Sequence, residues 1–227
     1  WDAKKGGSLS MDWTPGDACI VNLPLYNGLK SFELGIDPEA KVEALGPRKS
    51  GVDKPVVFYG TSITHGGCCS RPGLGFVNLV GRDLDVPVVG LGFSGSGVME
   101  FEMSEHLARI DASCYVLDAL WNMNPPSVVK DRYEPFIRNL RRLRPDVPIV
   151  MAEQSCLRNP EPNAKDSILR ELYERLRAEG WTRIVYLPKT GMYEDLDGSV
   201  DGVHPNDLGM RTMATAFGKA VREALDL

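Results

Sequence analysis

Pro55-Val56-Val57-Phe58-Tyr59-Gly60-Thr61-Ser62-Ile63-Thr64-His65-Gly66-Gly67 runs from a short apolar stretch straight into a loop of glycines and hydroxyls. Pro55–Tyr59 reads as a strand and Gly60 as its end. The same alternation then recurs to the C-terminus. Leu74–Leu84 sets Phe76, Leu79, Val80 and Leu84 on one helical face. Val86–Leu91 and Cys114–Leu120 read as the second and third strands, with a helix over Val98–Ile110 between them. Ser127–Leu143 and Lys165–Glu179 are amphipathic helices, Val147–Ala152 and Arg183–Leu187 further strands, and Asn206–Leu225 a closing helix. Short apolar strands alternating with helices imply a parallel sheet covered on both faces.

Upstream of Lys54 the pattern changes. Asp17–Tyr26 and Leu29–Ile36 are β-type runs joined by Asn27-Gly28, a strong local signal for a type I′ hairpin. Phe32, Leu34 and Ile36 alternate with Glu33 and Gly35, as on a half-buried strand. Asp37–Asp53, with its Pro, Gly and charges, suits a linker.

The bulk numbers narrow the function. A length of 227 residues suits one large domain, or one domain plus a small appendage, and 43% hydrophobic with 25% charged residues is ordinary for a globular chain. Net charge is −5 without any Lys/Arg block, which speaks against nucleic acid or an anionic membrane as partner. No apolar stretch is long enough to cross a bilayer, since Val86–Met99 is broken by Gly90, Gly92, Gly95 and Gly97. No signal peptide is evident, and the opening on Trp1 rather than Met leaves both an exported and a cytoplasmic chain open. The five cysteines (19, 68, 69, 114 and 156) and three histidines fit no zinc template. Cys114 reads as a small buried hydrophobe, and Cys68 and Cys69 as loop residues.

In open α/β sheets, sites form at the carboxyl ends of strands. Ser62, just past the first strand, is either a nucleophile or a helix N-cap. The loop is not a phosphate loop, because Cys68 and Cys69 stand after the glycines where a Lys would be needed. A G-x-G-x-x-G match at Gly90–Gly95 lacks an acidic ribose partner on a following strand.

Near the other end stands Asp201-Gly202-Val203-His204-Pro205-Asn206. Pro205 biases His204 out of helical conformation, so the last helix should start just beyond it. Gly202 lets the backbone bend enough for the Asp201 carboxylate to reach the His204 ring. A carboxylate on Nδ1 holds the tautomer that leaves Nε2 free to take a proton. An ordinary Asp-Gly turn before a helix would read the same way. Taken together, Ser62, Asp201 and His204 follow the Ser…Asp…His order of acyl-transfer enzymes.

At these residues the sequence resembles the SGNH (GDSL-like) hydrolases. Gly60-Thr-Ser62-Ile-Thr is similar to their block I, Gly95 in Gly-Phe-Ser-Gly-Ser-Gly to the block II glycine, Asn122 in Leu-Trp-Asn-Met to the block III asparagine, and Asp201-Gly-Val-His204-Pro to block V. The likeness covers about Pro55 to the C-terminus. Thr61 replaces the more usual acid of block I, and Leu-Trp-Asn-Met replaces Gly-x-Asn-Asp. With Ser70-Arg71-Pro72-Gly73 and Leu-Pro-Leu-Tyr-Asn-Gly (23–28), these departures resemble the subgroup carrying an N-terminal β-sandwich.

The resemblance implies a three-layer, flavodoxin-like α/β fold with a central, mostly parallel five-stranded sheet over 51–227. A small N-terminal β segment over 1–50 would precede it, too short for a whole sandwich. It implies Ser62 as nucleophile, His204 as base and Asp201 as its orienter. An oxyanion would be held by the Ser62 and Gly95 N–H groups and the Asn122 amide. No metal or organic cofactor is implied. The substrate implied is a small-molecule or carbohydrate ester carrying a short, acetyl-type acyl group. An acyltransferase with the same residues, or a non-catalytic carbohydrate-binding protein on the same fold, are the other readings. Among further candidates, His65 can line the pocket or face solvent, and His106, in the helix read over 98–110, can sit on its surface or cap it. Arg71 can bind substrate or pin its own loop, Glu153 can sit at the rim or in an ion pair, and Trp121 can form a wall of the site or pack in the core.

Overall fold

Strand β1 (Val56–Gly60) is buried from end to end, and its side chains alternate between the two faces of a sheet. Val56 and Phe58 enter one core cluster, Val57 and Tyr59 the other. The computed structural model describes residues 19–157, 161–193 and 195–227.

Four further strands, β2 (Val88–Gly92), β3 (Cys114–Asp118), β4 (Ile149–Ala152) and β5 (Ile184–Leu187), join β1 in the order β2-β1-β3-β4-β5. Every pairing is parallel. The expectation of a five-stranded, mostly parallel sheet holds, with no antiparallel strand in it. Beyond β1 come α1 (Ser62–His65) and α2 (Phe76–Leu84), then α3 (Phe101–Ala108), α4 (Pro126–Leu143), α5 (Ala164–Ala178) and α6 (Asp207–Leu225). One face is covered by α2 and α6, whose Phe76, Leu79, Met213 and Phe217 pack on Phe58 and Val116. The other is covered by α4 and α5, whose Phe136, Leu140 and Leu169 pack on Tyr59 and Leu117. A three-layer α/β architecture results.

Register decides where the site lies. Gly60 pairs with Gly92 on one side and Asp118 on the other. Parallel neighbours lie about 4.8 Å apart, so the loops leaving β1, β2 and β3 start side by side at one edge.

Three expectations need correction. Residues 19–50 contain no strand or helix, and Gly28 lacks the positive φ that a type I′ turn requires. The first expected strand, Asp17–Tyr26, begins outside the described residues. Phe32, Leu34 and Ile36 are 56, 58 and 49% exposed. No apolar face among the described residues meets them, and a two-stranded hairpin rarely persists unaided. The helix expected over Val98–Ile110 shrinks to Phe101–Ala108, because Met99 takes a φ of 56° and stops an earlier start. Finally, α1 was not foreseen. Its N-cap is Thr61, whose side chain accepts from Ile63 N while Thr64 Oγ1 accepts from Thr61 N, so Ser62 is the first helical residue and not the cap. Among the described residues no helix is long and apolar enough to cross a membrane.

Candidate active site

Thr61 and Thr64 cap α1 reciprocally, and this sets Ser62 at the mouth of the sheet, directly beyond Gly60. Ser62 is half-buried, and its hydroxyl lies 2.8 Å from His204 Nε2 across 142 positions of sequence. On the far side of the ring, Nδ1 lies 2.7 Å from Asp201 Oδ2. With Nδ1–H donating to the carboxylate, Nε2 is the atom left to accept the serine proton.

The Asp201–His204 turn is built from its own sequence. Asp201 Oδ1 accepts from Val203 N (2.9 Å) and His204 N (2.7 Å), while Oδ2 faces the ring. Gly202 supplies the required φ of 85°. Ser199 Oγ accepts from Gly202 N (2.8 Å) and donates to His204 O (2.9 Å), and the Tyr193 hydroxyl donates to Val203 O. Pro205 follows, and Asn206 caps α6 by accepting from Leu208 N and Gly209 N, so that helix starts where the proline placed it. The two backbone N–H groups and the His204 ring lower the Asp201 carboxyl to about 2. It is therefore an anion throughout the neutral range.

Gly95 and Asn122 stand on the two neighbouring loops. Phe93 N donates to Gly60 O at 2.9 Å, which carries the β1–β2 pairing one residue further. Phe93 O then accepts from Ser96 N, Gly97 N and Asn122 Nδ2 (3.1 Å). One carbonyl thus ties the Gly95 turn to the Asn122 loop. Gly95 has a φ of 71°, and a Cβ there would meet nothing within 4 Å. Conformation, rather than crowding, selects glycine at this point.

Sequence reasoning missed the support beneath Ser62. Thr64 Oγ1 donates to Asp118 Oδ2 at 2.8 Å, and Asp118, at the end of β3, is only 3% exposed. Burial raises its carboxyl to about 7, opposed by the Thr64 hydrogen bond. The one available signal was an acid closing the apolar run Cys-Tyr-Val-Leu-Asp.

The remaining candidates separate cleanly. His65 is half-buried, and both its ring nitrogens are engaged by backbone carbonyls, Gly92 O (2.9 Å) and Leu25 O. His106 is exposed on α3, away from this edge of the sheet. The Arg71 loop is pinned by Ser70, whose N–H and hydroxyl both donate to Asp207, while the Arg71 guanidinium donates to Ser70 Oγ at 3.4 Å and its charge also acts on Asp207. Glu153 is buried and accepts from Arg170, Lys189 N and the Tyr186 hydroxyl, an ion-paired network. Trp121 is half-buried, donates to Ser155 Oγ at 3.1 Å, and borders an open cleft of about 310 Å³ with Asn124, Gln154 and Lys165. Cys114 is buried, as read, and Cys68 is exposed.

Comparison with known proteins identifies the family and the fold. The model of the GDSL-like Lipase/Acylhydrolase family matches residues 53–222. No curated protein matches the sequence. Among solved structures, a GDSL-like lipase candidate from Bacteroides ovatus is 32% identical with a TM-score of 0.78, over 90% of this chain and 62% of that protein. A salicylyl-acyltransferase from a tetracycline biosynthetic pathway shares the fold at 19% identity and TM-score 0.64, over 75% of this chain and 55% of that one. A family two carbohydrate esterase from Clostridium thermocellum, in complex with cellohexaose, does so at 16% and 0.63, over 82% and 67%. The chain thus spans under two thirds of the first two.

Proposed function

The chain belongs to the GDSL-like lipase/acylhydrolase family, and from that premise we propose that it is a serine esterase removing short, acetyl-type acyl groups from carbohydrates. One observation carries the reading: the Ser62 hydroxyl, the His204 ring and the Asp201 carboxylate form a continuous hydrogen-bonded line, at 2.8 and 2.7 Å.

In this reading His204 Nε2 takes the proton as Ser62 Oγ attacks the ester carbonyl, and Asp201 stabilises the resulting imidazolium. The tetrahedral oxyanion is met by the Ser62 and Gly95 N–H groups and the second N–H of the Asn122 amide, whose first is held by Phe93 O. Such donors contribute about 3 kcal/mol each, roughly 100-fold in rate. Collapse expels the alcohol, which takes its proton from His204. Water then resolves the acyl-enzyme by the same steps.

The alcohol is proposed as a sugar on two grounds. Carbohydrate esterases are among the proteins sharing this fold. The cleft lined by Trp121, the residue before Asn122, also offers an indole and amide groups, Trp121, Asn124 and Gln154, the kinds of side chain that stack on and hydrogen-bond to hydroxyl-rich rings. Likeness to a salicylyl-acyltransferase favours a second reading, in which an acceptor alcohol replaces water.

The test is a panel of acetylated mono- and oligosaccharides beside longer acyl esters, with Ser62→Ala as control. Release of acetate from sugars, lost in the variant, is expected. A preference for long acyl chains would overturn the substrate assignment, and acyl transfer to added alcohols outpacing hydrolysis would favour the second reading.

A further inference from the structure

We propose that Tyr26, outside the family-matched span, is a positioning residue that locks the Gly95 turn to the helix bearing Ser62; this rests on the esterase reading above. Tyr26 shares a hydrogen bond with Ser94 Oγ at 3.0 Å, and Ser94 is bonded directly to Gly95. The Tyr26 ring packs on His65, the last residue of α1, with centroids 4.2 Å apart. Its hydroxyl also seats against the loop after α1, where a Cβ on Gly67 would come 2.9 Å from it. The preceding residue is anchored as well, because Leu25 O faces the His65 ring nitrogen.

One phenol therefore touches both loops that must keep a fixed spacing. Within the 93–97 turn, Ser96 N and Gly97 N both donate to Phe93 O, at its first residue, which also accepts from Asn122. That holds the inner end of the turn, and the Tyr26–Ser94 bond holds the tip, where the Gly95 N–H must point at an oxyanion. Tyr26 is 60% exposed, so it buries little area and contributes little to the core. Its geometric effect is larger, because displacing an oriented group by about 1 Å can cost 100-fold in rate.

Hydrolysis of p-nitrophenyl acetate by the whole chain tests this in Tyr26→Phe, Ser94→Ala and the double variant. Tyr26→Phe keeps the ring on His65 and removes only the hydroxyl. Each single variant should lose on the order of tenfold in kcat, less than the ~100-fold for deleting a donor outright. KM and Tm should hold, and the double variant should fall no further than either single, as two ends of one bond require. A kcat within twofold of the unaltered chain, a fall in Tm in place of kcat, or losses that multiply in the double variant would overturn the proposal. An unaltered chain that reacts with a fluorophosphonate at Ser62 while the variants match its kcat defeats this inference alone. One that never reacts there defeats the esterase reading with it.

Discussion

Thr64 donates its hydroxyl to the buried carboxyl of Asp118 at 2.8 Å, so the helix that begins with Ser62 is braced on the end of the third strand. The same Thr64 oxygen accepts from Thr61 N. The position of Ser62 therefore depends on a carboxyl 56 positions away in sequence.

This brace carries a pH signature. Asp118 is raised by burial from 3.8 to about 7, so the folded chain binds that proton more tightly than the unfolded one. Its contribution to stability is complete below about pH 4 and is lost as pH climbs toward 7. Asp118→Asn, which can still accept from Thr64, removes the titration. Thermal melts at pH 4.5 and 7.5 should show the variant gaining on the original chain at the higher pH. A Tm difference that does not change with pH would refute the assignment.

Asp201→Asn should lower kcat by about 10⁴-fold while leaving the fold intact. The side-chain oxygen can still accept from Val203 N and His204 N and keep the turn. The amide then faces His204 Nδ1 as a donor and selects the wrong tautomer. Steady-state hydrolysis of p-nitrophenyl acetate, with circular dichroism as control, measures it. A loss under tenfold would separate Asp201 from the reaction.

Asn122→Ala removes a proposed oxyanion donor and should cost about 100-fold in kcat with KM little changed. Phe93 O keeps its bonds from Ser96 N and Gly97 N, so the turn should survive. A rise in KM at constant kcat would instead mark Asn122 as a binding group.

Phe217 on α6 is fully buried, with its ring 4.6 Å from Phe76 and 6.3 Å from Phe58. Phe217→Ala should cost about 3–5 kcal/mol of unfolding free energy, the usual range for an aromatic cavity. Urea unfolding measures it, and a loss below about 1 kcal/mol would mean that the layer packs otherwise.

The sheet was legible because each strand is a short, nearly continuous apolar run, as full burial on both faces demands. Boundaries moved where side-chain burial and strand pairing part company. Val86 is buried, yet its N–H bonds Gly81 O at the end of α2, and β2 starts only at Val88. The Asp201–His204 contact was legible because three residues and a glycine suffice to form it. What stayed hidden was non-local. Nothing periodic announces that Asp118 supports Thr64, or that Tyr26 reaches Ser94 across 68 positions. The hairpin failed for the converse reason: Asn27-Gly28 and the alternation of Phe32, Leu34 and Ile36 are local signals, and local signals form a strand only where a partner and an apolar face await it.

The central claim is that His204 makes the Ser62 hydroxyl the reactive group. Intact-mass analysis with peptide mapping after fluorophosphonate treatment tests it most directly. One adduct per chain, on Ser62, that disappears in Ser62→Ala and slows sharply in His204→Ala, is the expected result. An unmodified Ser62, or undiminished esterase activity in Ser62→Ala, would contradict it.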